Sequence, residues 1–270
     1  MQMRRSKVLE KLRAGEVVNS FKLNLADARA AEIAARIGFD CIWTCMEHVP
    51  NDFRAIEESI WAAKAYDTDV MVRVPRGSYS DYIRPLEMDA AGIIVPHVMS
   101  AADARDVVRM TRFHPIGRRP LDGGNADGAA CMIDLKDYTE QANRERFVII
   151  QIEDPEPLDE LDEIAQIEGI DMIFFGPGDF SHSIGHVGEW DNPEISAARE
   201  KVAKTALKYG KFAGTVAGVG SVQTMVDMGY RFLNVGADVI GIVKHAQESL
   251  AAFGNIKMDA PKGIYGGDSK

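Results

Sequence analysis

Short apolar runs rich in branched side chains recur along this chain, separated by segments of helical periodicity. The runs predict strands over 17–21 (VVNSF), 40–45 (DCIWTC), 69–74 (DVMVRV), 92–96 (GIIVP), 147–152 (FVIIQI), 171–175 (DMIFF), 211–216 (KFAGTV) and 231–235 (RFLNV). They read as nearly continuous hydrophobic stretches, as expected of parallel strands buried on both faces. Helical patterns fall between them at 27–37, 53–65, 80–89, 101–112, 157–167, 193–209 and 221–228. Strict alternation of strand and helix is the pattern of a parallel sheet with helical crossovers. Eight such units predict a single α/β domain, a closed (β/α)8 barrel over residues 1–253, although a doubly wound open sheet shares the same local pattern.

Two stretches depart from the alternation. Residues 113–146 join the fourth and fifth strands through LDGGNADGAA and then a helical segment, DLKDYTEQANRE. A connection this long in a compact domain tends to serve function. Residues 254–270 form a polar, Gly-rich tail, expected to be flexible or to contact another subunit.

Composition narrows the function. A length of 270 residues suits a barrel of about 250. The net charge of −10 argues against nucleic acid as a partner. It leaves room for an anionic substrate, because a bound divalent cation reverses the local field. Cys41, Cys45 and Cys131 show no zinc-type pairing and fit a reducing, cytoplasmic setting. No apolar run reaches the about 18 residues of a membrane span, and the basic residues Arg4, Arg5 and Lys7 are not followed by the apolar core of a signal peptide.

In a barrel, chemistry gathers at the C-terminal ends of the strands. The polar residues predicted there are Glu47 and His48 after the second strand, Arg73 at the end of the third, His97 after the fourth, Gln151 and Glu153 on the fifth, and Gly176-Pro177-Gly178-Asp179 after the sixth. Gln151 and Glu153 are two apart, so they share one face of their strand. Glu153 and Asp179, from adjacent strand ends, form a candidate oxygen-ligand site for a divalent cation. The alternative is that one caps a helix and the other lies in a turn. Arg73 at the end of an apolar strand needs an anion, either a ligand or a salt bridge to Glu47 or Glu153. His48 is the acid–base candidate, with His97 and the other histidines as competitors.

These residues occur in an order and spacing that resembles a known family. The segments Gly38-Phe39-Asp40, Glu47-His48, Val72-Arg73-Val74-Pro75, Ile93-Ile94-Val95-Pro96, Gln151-Ile152-Glu153 and Gly176-Pro177-Gly178-Asp179-Phe180-Ser181 are similar to those of the HpcH/HpaI aldolase/citrate lyase family. The resemblance covers roughly residues 15–250. It implies a class II aldolase that cleaves a 4-hydroxy-2-oxo acid to pyruvate and an aldehyde, or runs the reverse, through a metal-stabilised pyruvate enolate. It implies a divalent metal (Mg²⁺, Mn²⁺ or Co²⁺) on Glu153 and Asp179, and a pyruvate carboxylate gripped by backbone N–H groups at Gly178 and Asp179. It further implies Gln151 beside the metal, Arg73 on the ketone oxygen, His48 in proton transfer and Val216 against the distal part of the substrate. The expected assembly is a homo-oligomer, a hexamer or trimer of dimers with the last helix exchanged.

The chain also departs from that family pattern. Cys45 stands three residues before His48, where an acid is usual, and Lys22 stands where a tryptophan is usual. Glu87 matches a second catalytic acid but falls on a helix, so it would have to serve a neighbouring subunit's site. Arg119-Pro120 replaces an Arg-Gly pair, and the Gly-rich stretch lacks an arginine. Three rival readings follow: a Schiff-base aldolase using Lys22, a 2-oxo-acid-binding homologue with weakened catalysis, and a citrate-lyase-like enzyme acting on acyl-CoA.

Overall fold

Eight parallel strands close on one another in chain order, with the first paired to both the second and the eighth. The computed structural model describes residues 1–254; the tail expected over 254–270 lies, but for its first residue, outside the described residues. The strands are β1 Val18–Lys22, β2 Cys41–Cys45, β3 Asp69–Arg73, β4 Gly92–Val95, β5 Phe147–Ile152, β6 Met172–Phe175, β7 Phe212–Ala217 and β8 Phe232–Ala237. Closure decides for the barrel over the open sheet.

The helices are α1 Lys7–Arg13, α2 Ala28–Ile37, α3 Phe53–Lys64, α4 Tyr79–Glu87, α5 Ala101–Thr111, α6 Leu135–Glu145, α7 Leu161–Gln166, α8 Pro177–Ser183, α9 Pro193–Lys208, α10 Val222–Met228 and α11 Asp238–Ala251. The starts of several follow from side chains that accept a first-turn N–H: Asp27, Asp52, Ser100, Asp134 and Asn192. The helix expected over 157–167 is instead a short 3-10 turn, Glu156–Leu158, followed by α7. Three helices have no counterpart among the expected elements. α1 is short, α8 falls where a turn is expected, and α11 has little polar periodicity.

Two apolar cores organise the molecule. One lies between the strands and the outer helices. The other fills the barrel, with Trp43, Met71, Ile94, Ile149 and Phe174 packed over Val18, Phe147 and Phe232, and Val8, Leu9 and Leu12 of α1 plugging its floor. Lys22, Arg73 and Gln151 share strand parity with Val18, Met71 and Ile149, so their side chains face the same interior, one layer nearer the mouth. Among the described residues no helix is long and apolar enough to cross a membrane.

The strand-start end is fastened by buried charge. Arg146, immediately before β5, bonds Asp127 at 2.7 Å and also pairs with Asp89. Asp127 also accepts from Arg119 at 3.1 Å and from the Tyr138 hydroxyl at 3.0 Å. This cluster ties the long connection to the barrel, so that stretch sits at the strand-start end. Losing the Arg146 charge leaves two buried carboxylates short of a partner. Arg146→Met is therefore expected to destabilise the protein by about 3 kcal/mol, at the low end of the cost of breaking buried pairs because Arg119 and Lys64 remain. An unchanged urea midpoint would contradict this account of the barrel floor.

Candidate active site

A cavity of about 340 Å³ opens at the C-terminal ends of the strands. His48, Arg73, Gln151, Glu153, Gly178, Asp179 and Val216, all singled out in the sequence, line it together with Lys22, Trp43, Phe174, Gly176 and Pro177. Glu87 is not among them. α4 runs antiparallel to β3 and returns its C-terminus to the strand-start end, where the Glu87 carbonyl accepts the Asp127 N–H at 3.1 Å. Burial raises the Glu87 carboxyl above its ordinary range, with Arg119 opposing and Asp122 and Asp127 adding to the shift. Within one chain Glu87 therefore belongs to the floor cluster and stands at the wrong end of the barrel for the cavity.

The β4–β6 side is acidic. Ligand atoms of His97, Glu153 and Asp179 lie within 4.8 Å of one another. Glu153, 1% exposed, accepts the His97 backbone N–H at 2.9 Å and a hydrogen bond from the Gln151 side-chain amide. Its pKa is pushed up to about 7, first by burial; the His97 N–H bond and charge oppose this, and the Asp179 charge adds to it. His97 adopts a left-handed backbone conformation, φ 46°, and its Nδ1 lies 2.8 Å from Asp154 Oδ2. Burial works against protonating His97, but the Asp154 hydrogen bond and the charges of Glu153, Asp154 and Glu47 outweigh it and raise its pKa. In the sequence His97 is visible only as a competing histidine after Pro96. Its place in the acidic cluster depends on its unusual φ, which no spacing pattern reveals.

Three features fit a cation here. Two carboxylates converge, and burial disfavours the charge of Glu153. The Gln151 side-chain carbonyl, Oε1, is buried with no hydrogen-bond partner, an orphan acceptor that a cation or its hydration would satisfy. Gly176 supplies the room: a Cβ there would stand 2.8 Å from both Glu153 Oε2 and Gln151 Nε2. A set of carboxylates, an amide and an imidazole suits a hard or borderline divalent ion.

The expected turn at 176–179 is the start of α8. The Gly178 and Asp179 N–H groups thus fall in a first helical turn, where backbone donors lack an intrahelical acceptor. Pro177 at the first helical position fits the same geometry, since its missing N–H costs nothing there.

The β1–β3 side is cationic. Arg73 is 3% exposed. Its Nε lies 3.0 Å from Glu47 Oε2, its Nε and Nη2 each lie 3.3 Å from Cys45 Sγ, and its guanidinium stands 5.3 Å from the Trp43 ring centroid. Arg73 is thus salt-bridged to Glu47 while still lining the cavity. Cys45 Sγ also accepts the His48 backbone N–H at 3.4 Å. The carboxylate beside His48 is Glu47, with Oε2 3.4 Å from His48 Nε2. Lys22, 3% exposed, places its Nζ 5.5 Å from the Trp43 centroid. Its pKa is lowered to about 8, first by burial and then by Arg73, against the pull of Cys45, Glu47 and Asp179.

The HpcH/HpaI aldolase/citrate lyase family model matches residues 21–245. The chain belongs to this family. A hydroxypyruvate/pyruvate aldolase of Pseudomonas aeruginosa is 32% identical over 260 residues, covering 95% of this chain and 97% of the relative. A 4-hydroxy-2-oxo-heptane-1,7-dioate aldolase of Shigella boydii is 30% identical over 255 residues, covering 94% and 97%. A crystal structure of an HpcH/HpaI aldolase/citrate lyase family protein from Burkholderia cenocepacia superposes with a TM-score of 0.86 at 30% identity, covering 93% of this chain and all of that one.

The burial of Lys22 has a direct energetic consequence. Its folded pKa lies below the unfolded value of 10.5. The unfolded chain therefore binds more protons than the folded one between about pH 8 and 10.5, and stability rises with pH across that window. Lys22→Met is expected to raise the unfolding midpoint at pH 7, with the gain shrinking as pH climbs from about 8 to 10.5. A loss of stability at pH 7, or a gain independent of pH, would contradict the assigned burial of the ammonium.

Proposed function

We propose that this protein is a metal-dependent aldolase that joins pyruvate, or hydroxypyruvate as the names of its relatives suggest, to an aldehyde and cleaves the corresponding 4-hydroxy-2-oxo acid. The observation that carries the reading is the convergence of Glu153, Asp179 and His97 at the ends of β4–β6. Glu153 and Asp179 would hold a divalent cation, with Gln151 beside them and His97 completing or steadying the shell. When bound, Mg²⁺, Mn²⁺ or Co²⁺ supplies Lewis-acid polarisation of the ketone of a 2-oxo acid.

The chain's own groups do the rest. First-turn N–H groups at Gly178 and Asp179 bind the substrate carboxylate. Arg73, held by Glu47 and Cys45, places fixed positive charge where the ketone oxygen becomes an enolate oxygen. In the cleavage direction His48 takes the proton of the 4-hydroxyl group. The bond between C3 and C4 breaks, its electron pair passes into the enolate, the aldehyde departs, and a proton returns to C3. Glu47, with Oε2 3.4 Å from His48 Nε2, orients the imidazole. Val216 meets the distal part of the substrate.

Assembly belongs to the same reading. α11 leaves the barrel with Asp238 as its buried residue and with Ile242, Val243 and Leu250 exposed. An apolar helix without cover among the described residues supports exchange between subunits, in a homo-oligomer of the hexamer or trimer-of-dimers type. The unpaired thiols of Cys41, Cys45 and Cys131 suit a cytoplasmic setting.

The test is deuterium exchange into the pyruvate methyl group, followed by proton NMR. Exchange is expected with Mg²⁺, Mn²⁺ or Co²⁺, to fall at least about a hundredfold after chelation, and to return when metal is restored. Exchange that survives complete metal removal would overturn the reading and favour Schiff-base chemistry at Lys22.

A further inference from the structure

His97 is held at both its backbone and its ring. Its backbone N–H donates to Glu153 Oε1 at 2.9 Å, and its φ is 46°. A left-handed conformation is uncommon in a residue with a side chain and persists where the surroundings fix it. On the ring, Nδ1 lies 2.8 Å from Asp154 Oδ2. Asp154 in turn accepts the Ser183 hydroxyl at 3.1 Å. Ser183 is the last residue of α8, the short helix whose first turn carries Asp179. One helix thus presents Asp179 to the cavity and props the carboxylate behind the imidazole.

The Asp154 contact sets the tautomer. In the neutral ring Nδ1–H donates to Asp154, and the lone pair falls on Nε2. Nε2 lies 3.8 Å from Glu153 Oε1 and 3.8 Å from Glu47 Oε1. Both separations are too long for hydrogen bonds. A histidine kept only as an ion-pair partner would close on a carboxylate at Nε2 as well, whereas here only the Asp154 side closes. The open side has the spacing of donors that share an ion. Two donors on one transition-metal ion, each about 2.1 Å from it, stand about 3 to 4 Å apart. Asp179 belongs to the same group, with all three ligand atoms within 4.8 Å of one another. A carboxylate behind an imidazole in this way fixes the ring and strengthens its nitrogen as a donor.

We propose that His97 is a third protein ligand of the cation and that Asp154 is the positioning residue that sets its ring, so that the site discriminates Co²⁺ from Mg²⁺ through a nitrogen bond. Imidazole suits borderline ions such as Co²⁺, whereas Mg²⁺ takes oxygen ligands. The proposal rests on the cation site of the aldolase reading and adds to it the choice of ion.

The test is electron spin echo envelope modulation of Mn²⁺ bound to the full chain, with the ring nitrogens of histidine isotopically labelled. Coupling to a histidine ring nitrogen is expected in the wild type, retained in His48→Gln and lost in His97→Gln. Calorimetric Kd values for Co²⁺ and Mg²⁺ give the second readout. His97→Gln should lower the preference for Co²⁺ over Mg²⁺ by about tenfold or more, and Asp154→Asn should lower it in the same direction by a smaller factor. A general loosening of the fold lowers both affinities together and does not imitate a change in their ratio. Equal losses for the two ions in both variants would overturn the proposal, as would ring-nitrogen coupling that survives in His97→Gln. Absence of any tight Mn²⁺ site in the wild type would overturn the cation reading and the proposal with it; tight Mn²⁺ without ring-nitrogen coupling would overturn the proposal alone.

Discussion

Two carboxylates in one poorly solvated corner set the terms for the rest of this site. Glu153 is almost fully buried, and the nearby charge of Asp179 adds to its difficulty in ionising. The Arg73 charge relieves this in part, and a backbone N–H, a primary amide and an imidazole lie beside Glu153 as further partners. Such a corner keeps its acids available to a cation, at a cost in stability that the large apolar cores can bear. Gly176 matters for the same reason, because any Cβ there would displace the acid or the amide.

The cationic wall answers the acidic one. Arg73 and Lys22 are both buried, both face Trp43 and both lie across the cavity from Glu153 and Asp179. Arg73 is held in place by Glu47 and by the Cys45 thiol. Glu47 thus works twice, clamping Arg73 and standing beside His48.

Much of the barrel was legible in the chain. Parallel strands buried on both faces must be apolar throughout, and each of the eight apolar runs became a strand whose ends fall within two residues of the reading. Gln151 and Glu153 could be placed on one face because strand periodicity is strict. The missed pieces have local causes. α8 is short and begins with Pro177-Gly178, residues that read as a turn unless their fit to a helix start is recognised. α11 is apolar without a core of its own, so its pattern lacks the two-faced contrast that marks a surface helix. His97 joins the acidic cluster through a left-handed backbone conformation, a placement that does not follow from residue type or spacing alone. Glu87 falls on a helix, as its spacing predicts, and α4 carries it to the far end of the barrel.

The central claim is that Glu153 and Asp179 form one cation site, and the most direct measurement is electron paramagnetic resonance of Mn²⁺ titrated into the metal-free protein. One tight Mn²⁺ per chain is expected, lost in both Glu153→Gln and Asp179→Asn while each variant still unfolds cooperatively. Tight binding that persists in the double variant, or no tight site in the folded wild type, would contradict it.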